Sequence, residues 1–404
     1  MATEINSTTA SGMRLAIVLA GNRNAGKSAL LNRLTGQEVS IVSERAGTTT
    51  DAVAKAFELP QAGAVCFYDT AGLDDDEGKL GGQRVCATQK VLRRADVVLL
   101  VIGRGGVTPE DMRLIAKLER RHAQFIPVFN FCDEYEPDEY NRGLLKTYGG
   151  VEVSAKTGAG IDLLRQKLED KLKLFINDKP LIADLIHPGE TVVLVAPVDS
   201  EAPKGRLITP QVQVLREALD ANAVAVVTRD ADMQKTLSKL AAKPALVITD
   251  SQAVKQVAAT LPDDIPLTTF SILFARHKGD FKLQLDGANA IDQLRDGDKI
   301  LIAEGCSHHI SCDDIGRVKI PNILLNHTGK KLEFVWTCGY DFPQELSGYA
   351  LVLLCGGCML NRGEIRQRIE MCREAGVAVT NYGMAIAKGV GVLSRLKGLK
   401  GKIL

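Results

Sequence analysis

The sequence lacks an excess of either charge, a long apolar run and a rich supply of aromatic side chains. Its 50 lysine and arginine residues face 49 aspartate and glutamate residues, which leaves a net charge of +1. Because a protein that neutralises many phosphates usually carries a basic excess or basic blocks, this balance disfavours dedicated nucleic-acid binding. No stretch approaches the roughly 18 apolar residues of a membrane helix, and we expect no membrane partner.

The N-terminus also lacks the pattern of a secretory signal. Residues 1–12 are small and polar, with no basic flank before an apolar run, and we expect them to form a disordered leader. We therefore predict a cytoplasmic protein, in which disulfides are rare. The nine cysteines are then buried thiols, reactive thiols or metal ligands, and their positions must decide which.

The length and the alternation of elements predict several α/β domains. A chain of 404 residues is too long for one ordinary core. Short apolar strands alternate with amphipathic helical patterns, which predicts a parallel-type sheet in a first domain (13–175) and two smaller α/β domains (180–265 and 266–404). The strand candidates are 14–20, 65–68, 97–102, 125–130, 191–196, 223–228, 245–249, 299–303, 332–336, 350–354 and 377–380.

A glycine-rich loop follows the first predicted strand. The segment GNRNAGKS at 21–28 matches the pattern G-x-x-x-x-G-K-S/T between a strand and a helix. In such a loop the backbone N–H groups wrap phosphates, the lysine reaches the β and γ phosphates, and the serine hydroxyl binds magnesium. The residues expected to contact the nucleotide here are Gly21, Asn22, Asn24, Ala25, Gly26, Lys27, Ser28 and Ala29.

Two further segments are typical of the γ-phosphate side of such a site. The segment DTAG at 69–72 fits D-x-x-G, in which Asp69 orients the water shell of magnesium and the Gly72 N–H senses the γ-phosphate. The segment GTTTD at 47–51 lies between the two motifs, and we choose Thr49 as its magnesium ligand. Lys27, Thr49 and Gly72 are the predicted catalytic residues.

The base-reading segments indicate guanine. In NFCD at 130–133, the Asp133 carboxylate can accept both N–H groups that guanine offers and adenine does not. Asn130 belongs to the same loop, and Ser154, Ala155 and Lys156 fit the loop that closes over the base. The pattern therefore predicts a GTP site.

These five motifs, in this order, resemble the translation-factor-like small GTPases, especially the ribosome-assembly and tRNA-modifying branch, over about 170 residues. Phe131 replaces the usual lysine of N-K-x-D, and its ring could stack along the base as the lysine stem does.

Leu73 stands where some GTPases place a water-orienting glutamine, so we expect slow hydrolysis, on the order of 10⁻⁴–10⁻² s⁻¹. Asn24 stands at the position where related GTPases bind K⁺. This position implies that K⁺ stimulates GTP hydrolysis, and the alternative is that Asn24 serves only to form the loop.

The cysteine pattern of the third domain predicts a metal centre. The segments CSHH at 306–309 and CGGC at 355–358 each follow a predicted strand, so both are expected at one edge of one parallel sheet. Three thiolates and an imidazole fit structural zinc, whereas three thiolates with an open position fit a 4Fe–4S cluster. The spacing does not separate the two. The other cysteines with an ordinary interpretation as small buried residues are Cys66, Cys86, Cys132 and Cys372.

A GTPase domain followed by two α/β domains, the last with C-x-H and a later C-x-x-C, resembles the HydF family of FeFe-hydrogenase maturation GTPases over essentially the whole chain. The resemblance implies a 4Fe–4S cluster on Cys306, Cys355 and Cys358 and a homodimerising middle domain. It also implies a scaffold that works with radical-SAM maturases and carries a di-iron precursor to apo FeFe-hydrogenase. The open position on a three-cysteine cluster would accept that cargo.

The fourth ligand of such a cluster stays open. His308 matches the histidine of C-x-H and is a candidate ligand, either exchangeable or acting through another ligand. Many family members have a histidine before the C-x-x-C, but Leu354 occupies that position here and cannot ligate iron. The weaker candidates are His309, Cys312 and Cys338, and His327 is expected in a surface loop.

Two alternatives to the scaffold stay open as well. One is a regulatory GTPase in RNA modification or ribosome assembly with a zinc-stabilised C-terminal domain, although the chain lacks a basic, aromatic-bearing RNA module. The other is an inert dimerisation protein, which would require many intact motif positions to be coincidental. In the scaffold interpretation, γ-phosphate contacts order residues 48–50 and 72–80 and change partner affinity, and hydrolysis releases them.

Overall fold

The computed structural model describes residues 14–36, 53–60, 62–70, 72, 88–176, 179–198, 207–305 and 314–396. The chain divides into two compact units, residues 1–178 with 361–364 and residues 179–360 with 365–404. The leader expected over 1–12 lies outside the described residues, as do Cys86 and residues 177–178.

The first unit is a six-stranded sheet between helices. Its strands are β1 (Leu15–Ala20), β2 (Val53–Leu59), β3 (Gly63–Asp69), β4 (Val97–Ile102), β5 (Gln124–Phe129) and β6 (Val151–Glu152). Their order is β2-β3-β1-β4-β5-β6, and β2 alone among these strands runs antiparallel to its neighbour. The central strands β1 and β4 are continuous apolar runs that are buried along nearly their whole length, as expected when helices cover both faces of a sheet.

Capping side chains begin two of the helices in this unit. The helices with described bounds are α1 (Lys27–Thr35), α2 (Pro109–Arg120), α3 (Glu139–Tyr148) and α4 (Ile161–Ile176), and residues 88–93 are helical as well. Thr108 and Asp111 form a capping box at the start of α2, and the Asp138 side chain accepts from the third residue of α3. These caps fix the start of each helix at the carboxyl edge of the sheet, where loops can meet a ligand.

The second unit contains two four-stranded parallel sheets. The first has the strands β7 (Thr191–Val195), β8 (Val224–Thr228), β9 (Leu246–Thr249) and β10 (Leu267–Thr269), in the order β10-β9-β7-β8. The second has β11 (Lys299–Glu304), β12 (Glu333–Cys338), β13 (Leu351–Leu354) and β14 (Ala378–Asn381), in the order β12-β11-β13-β14. One hydrophobic core joins side chains of both sheets, such as Val247 and Ile302.

Nine α-helices and one π-helical turn (Ile315–Lys319) lie within the described part of this unit. The helices are α5 (Thr209–Asp220), α6 (Met233–Leu237), α7 (Val254–Thr260), α8 (Phe270–Lys278), α9 (Phe281–Ala290), α10 (Ile320–Thr328), α11 (Arg362–Glu374), α12 (Tyr382–Gly389) and α13 (Leu393–Leu396). Every helix in the described ranges is too short or too polar to span a lipid bilayer.

The predicted boundary between the second and third domains, at 265/266, does not match the sheets. Strand β10 lies beyond that boundary but pairs with β9, with Leu267 opposite Val247. The proline and aspartates of 261–264 therefore form a turn into the last strand of the second domain and not a linker. The α/β fold class itself is confirmed, and the predicted strands agree with the observed ones to within two or three residues at each end.

Candidate nucleotide and metal sites

Two glycines of the 21–28 loop occupy positions that no other residue fits. Gly21 has φ 148°, and a Cβ there would lie 2.2 Å from the Val101 carbonyl oxygen. Gly26 has φ 87°, and a Cβ there would lie 2.2 Å from Nδ2 of Asn130. The loop therefore packs its bare backbone against the ends of β4 and β5, which is the close approach that a phosphate-wrapping loop requires.

Lys27 opens α1 and folds back over this loop. Its side chain is buried, and Nζ donates to the carbonyl oxygens of Gly21 at 3.0 Å and Asn22 at 2.8 Å. These contacts hold the ammonium group at the centre of the loop, beside the positive end of the helix. The arrangement suits a group that stabilises phosphate charge.

Ser28 and Asp69 meet across the start of α1 and the end of β3. The Ser28 hydroxyl donates to Oδ2 of Asp69 at 2.5 Å, and Oδ1 of Asp69 is buried with no partner among the described residues. Burial raises the pKa of Asp69, against the lowering effects of the Ser28 hydrogen bond and the Lys27 charge. A hydroxyl beside an unsatisfied carboxylate fits the hard oxygen ligands that Mg²⁺ requires.

Some predicted γ-phosphate contacts lie outside the described residues. These are Thr49 with its neighbours at 48 and 50, and Leu73 with the rest of 73–80. Gly72 lies inside the described part and is buried directly beyond Asp69 and Thr70. The structure therefore brings Ser28 and Asp69 together, whereas their roles toward magnesium and the Thr49 assignment stay predictions.

Asn130 connects three loops of the nucleotide site. It is fully buried, and its Nδ2 donates to the Ala25 carbonyl at 3.0 Å. Its Oδ1 accepts from the backbone N–H of Phe131 at 2.9 Å and of Ala155 at 3.1 Å. One amide thus joins the phosphate loop, its own loop and the 154–156 loop, which explains why an asparagine is needed there.

Asp133 and Ser154 lie where a base edge would be read. Asp133 is exposed, and a hydrogen bond from Ser154, with smaller contributions from a backbone hydrogen bond and the charges of Lys156 and Arg104, holds the pKa of its carboxyl below the usual value. The carboxylate is therefore ionised and available as a double acceptor. Lys156 also lies 3.5 Å from Glu134, at the rim of the same loop.

The carboxyl edge of the second unit's C-terminal sheet brings Gly305, the residue before the first predicted cysteine segment, to the second segment at 355–358. Strands β11 and β13 are parallel neighbours, and the Cys355 N–H donates to the Ala303 carbonyl at 3.1 Å. The backbone N–H of Gly305, the residue before Cys306, donates to Sγ of Cys355 at 3.0 Å, and the Gly357 N–H donates to the same sulfur at 3.4 Å. Strands β12 and β13 lie on opposite sides of β11, so this edge is a topological switch point, where ligands bind in such sheets.

A buried lysine supports the loop at 355–358. Lys278, at the end of α8, is 5% exposed, and its Nζ donates to the carbonyl oxygens of Gly357 at 2.7 Å and Leu360 at 2.8 Å. Burial raises the pKa of the Cys355 thiol, and the two backbone N–H groups act in the opposite direction. Two backbone amides that donate to one sulfur suit an anionic sulfur ligand.

Part of the predicted ligand set lies outside the described residues, namely Cys306, His308, His309 and Cys312. Cys358 is half-buried, as is Cys355. Among the residues that are described, no three His, Cys, Asp or Glu side chains converge as a metal site. The complete ligand set therefore stays a prediction.

Some of the remaining predictions for cysteine and histidine residues agree with the structure, and others do not. Cys66 and Cys372 are buried, as predicted, whereas Cys132 is only half-buried. Cys338, at the end of β12, lies 3.3 Å from Glu304 and 3.3 Å from Arg317, within an ion pair that the sequence did not reveal. His327 lies in the last turn of α10, bonded to Asp292 at 2.9 Å, and not in a loop.

The phosphate loop, the magnesium pair and the base-reading loops, on this sheet order, define a P-loop GTPase. Residues 16–131 match the family described as 50S ribosome-binding GTPase. Residues 181–279 match the hydrogen maturase F dimerization domain, and residues 282–397 match the hydrogen maturase F tetramerization domain. The chain belongs to the hydrogen maturase F (HydF) family of hydrogenase-maturation GTPases.

Curated relatives resemble the GTPase unit. The tRNA modification GTPase MnmE of Nitrosospira multiformis is 38% identical over 154 residues, covering 38% of this chain and 34% of the relative. That of Dechloromonas aromatica is 40% identical over 163 residues, with coverage of 38% and 34%. The chain thus spans about a third of the length of the curated relatives it matches.

Solved structures resemble the chain more distantly. Era of Aquifex aeolicus with GDP and AlF4⁻ is 24% identical, covers 54% of this chain and 93% of its own, and has a TM-score of 0.33. The G domain of the T. maritima FeoB iron transporter is 24% identical, covers 41% of this chain and 99% of its own, and has a TM-score of 0.31.

The site and the family together make this chain a GTP-binding, GTP-hydrolysing protein that uses Mg²⁺. The two C-terminal families support homo-oligomerisation.

Proposed function

We propose that this GTPase is a scaffold that holds a 4Fe–4S cluster on Cys306, Cys355 and Cys358 and carries a di-iron precursor to apo FeFe-hydrogenase. The proposal rests mainly on the Cys355 sulfur, which accepts hydrogen bonds from two backbone N–H groups. One of the two donors is Gly305, the residue between strand β11 and Cys306. Radical-SAM maturases, as the source of the cargo, and the hydrogenase, as its acceptor, are the proposed partners.

The donor chemistry favours a cluster with one exchangeable corner. Three thiolates on four irons leave one iron without a protein sulfur, and a cluster held in this way offers a position at which the cargo can attach. The amides of Gly305 and Gly357 offset the negative charge of the Cys355 sulfur, and Lys278 holds the loop that carries it through the carbonyl oxygens of Gly357 and Leu360. His308 remains our candidate for a labile fourth ligand.

The GTPase unit is proposed to control partner affinity and not the bond chemistry of the cargo. Contacts from the γ-phosphate to residues 48–50 and to Gly72 would order the segments on either side of the Ser28–Asp69 pair, and hydrolysis would release them. The cytoplasm, where partners and GTP coexist, is the proposed location.

The dimerisation proposal has its own support in the second unit. Strand β8 is an edge strand, and its Val224 and Val227 are 52% and 44% exposed. Exposed apolar residues on an open sheet edge favour pairing with another chain. We infer a homodimer, or a higher oligomer, through this domain.

A regulatory GTPase of RNA modification with a structural zinc site is the second candidate, because the likeness to MnmE reaches 40% identity over the GTPase unit. Metal content separates the two. Protein purified without oxygen is expected to be brown and to hold about four irons per chain. Colourless protein with one zinc per chain and no iron would support the second candidate instead.

We also propose that K⁺ stimulates hydrolysis through Asn24, which lies in the phosphate loop with φ 60°. A cation bound near the β and γ phosphates would stabilise the charge of the transition state, and we expect hydrolysis about tenfold faster in KCl than in NaCl. Phosphate release at equal ionic strength measures this ratio. Asn24→Ala should bring the ratio close to one, whereas Asn32→Ala, an exposed change on α1, should keep it. Equal rates for the parent protein in the two salts would contradict the proposal.

A further inference from the structure

An arginine outside all five nucleotide motifs packs on the residue that replaces the motif lysine. Arg104 lies two residues beyond β4, and its guanidinium carbon is 4.0 Å from the centroid of the Phe131 ring. Its Nε and Nη2 both donate to Oε2 of Glu134, at 3.1 Å and 2.8 Å. Glu134 follows Asp133 directly, so the ion pair fixes the arginine to the base-reading loop itself.

The backbone of Phe131 directs its ring toward the phosphate loop. Phe131 has φ 68°, in the left-handed region that a bulky side chain rarely adopts. A Cβ at Gly26 would lie 3.2 Å from Cζ of this ring, so the ring edge reaches the phosphate loop. Such a strained conformation is retained where the surroundings hold it, and Arg104 and Gly26 are two of the contacts that do so.

Arg104 and the 154–156 loop both reach the base-reading loop. Arg104 comes from the loop after β4, whereas Asp133 and Ala155 belong to the loops after β5 and β6. Glu134 pairs with side chains of both loops, with Arg104 at 2.8 Å and with Lys156 at 3.5 Å.

We propose that Arg104 is a positioning residue for guanine nucleotides: it backs the Phe131 ring, so that the two side chains together replace the lysine of the N-K-x-D motif. The ring supplies the flat apolar surface that packs along the base, as the lysine stem does. The guanidinium supplies the positive charge and, tied to Glu134, keeps the ring against the phosphate loop. The inference depends on GTP binding alone and not on the proposed cluster.

The expected size of the effect follows from exposure. The side chains of Arg104 and Glu134 are 48% and 32% exposed, so solvent weakens both the ion pair and the cation–π contact. Cation–π contacts at exposed sites correspond to about a two- to fivefold change in a binding constant. Arg104→Ala should therefore weaken GDP binding by about threefold.

Titration with a fluorescent GDP analogue and with a non-hydrolysable GTP analogue tests this expectation. The contact lies on the base side of the nucleotide, which GDP and the GTP analogue share. Both dissociation constants should therefore rise by the same factor, while kcat at saturating GTP stays unchanged. Arg104→Lys should retain part of the affinity. Arg113→Ala is the matched control, since Arg113 pairs with Glu110 on the exposed face of α2 and should leave both constants unchanged.

A double-mutant cycle separates this role from a general structural one. Arg104→Ala should have no effect in a Phe131→Lys background, where the motif lysine is restored, or in a Phe131→Leu background, where no ring remains. Unchanged or tighter binding by Arg104→Ala in the parent protein would overturn the proposal. So would the same loss of affinity in both Phe131 backgrounds.

Discussion

Lys27→Ala should lower the rate of GTP hydrolysis by about a hundredfold or more, the effect of removing one donor that stabilises transition-state charge. The Lys27 ammonium is buried at the centre of the phosphate loop, between the carbonyl oxygens of Gly21 and Asn22. No neighbouring side chain of the loop at 21–28 could place a cation there, because Arg23 is exposed. Phosphate release under single-turnover conditions measures the change.

The same substitution should leave the metal content unchanged. Lys27 belongs to the first unit, whereas Cys355 and Cys358 belong to the second. Ser28→Ala should behave alike, since it removes the hydroxyl that faces Asp69. Lys146→Ala, an exposed lysine on α3, is the matched control and should hydrolyse GTP at the parent rate. A folded Lys27→Ala protein that lost its iron would show that the two units do not act separably.

The nucleotide loops could be predicted from the sequence because each motif is a short contiguous segment at the end of an apolar strand. Strand β4 was predicted with its observed bounds, since VVLLVI has no polar interruption. The contribution of Arg104 could not be predicted in this way. It depends on a stacking contact between two loops, and neither GRGG nor NFCD contains a pattern that specifies it.

The second unit shows the same division between local and long-range signals. The strands before the cysteine segments were predicted, because β11 and β13 are apolar runs that end at those segments. Lys278 was missed, since its partners Gly357 and Leu360 are about eighty residues away and a lysine at a helix end normally indicates a solvated position. Strand β2 was missed too, because Lys55 and Glu58 interrupt its apolar pattern at the sheet edge.

Cys355→Ala should reduce the iron content of anaerobically purified protein to less than about a tenth of the parent value. Losing a group that merely supports a metal ligand typically costs 10- to 100-fold in affinity, and losing the ligand itself should cost at least as much. The substitution also leaves the N–H groups of Gly305 and Gly357 without the sulfur to which they donate. Iron analysis with electron paramagnetic resonance of the reduced protein measures the loss.

Cys372→Ala is the control for this experiment, because it removes a cysteine from the same unit that has no role in the proposed site. Cys372 is fully buried on α11 within the apolar core, where burial raises the pKa of its thiol to about 12. That protein should therefore keep the iron content and the resonance spectrum of the parent, as Cys355→Ala should keep the parent rate of GTP hydrolysis. Full iron in Cys355→Ala would refute the assigned ligand. Equal loss of iron in both variants would instead indicate that the iron content reports the folding of the unit. If Cys355 is a ligand, only the removal of its sulfur at the sheet edge should lower the iron content, and removal of the Cys372 sulfur in the core should not.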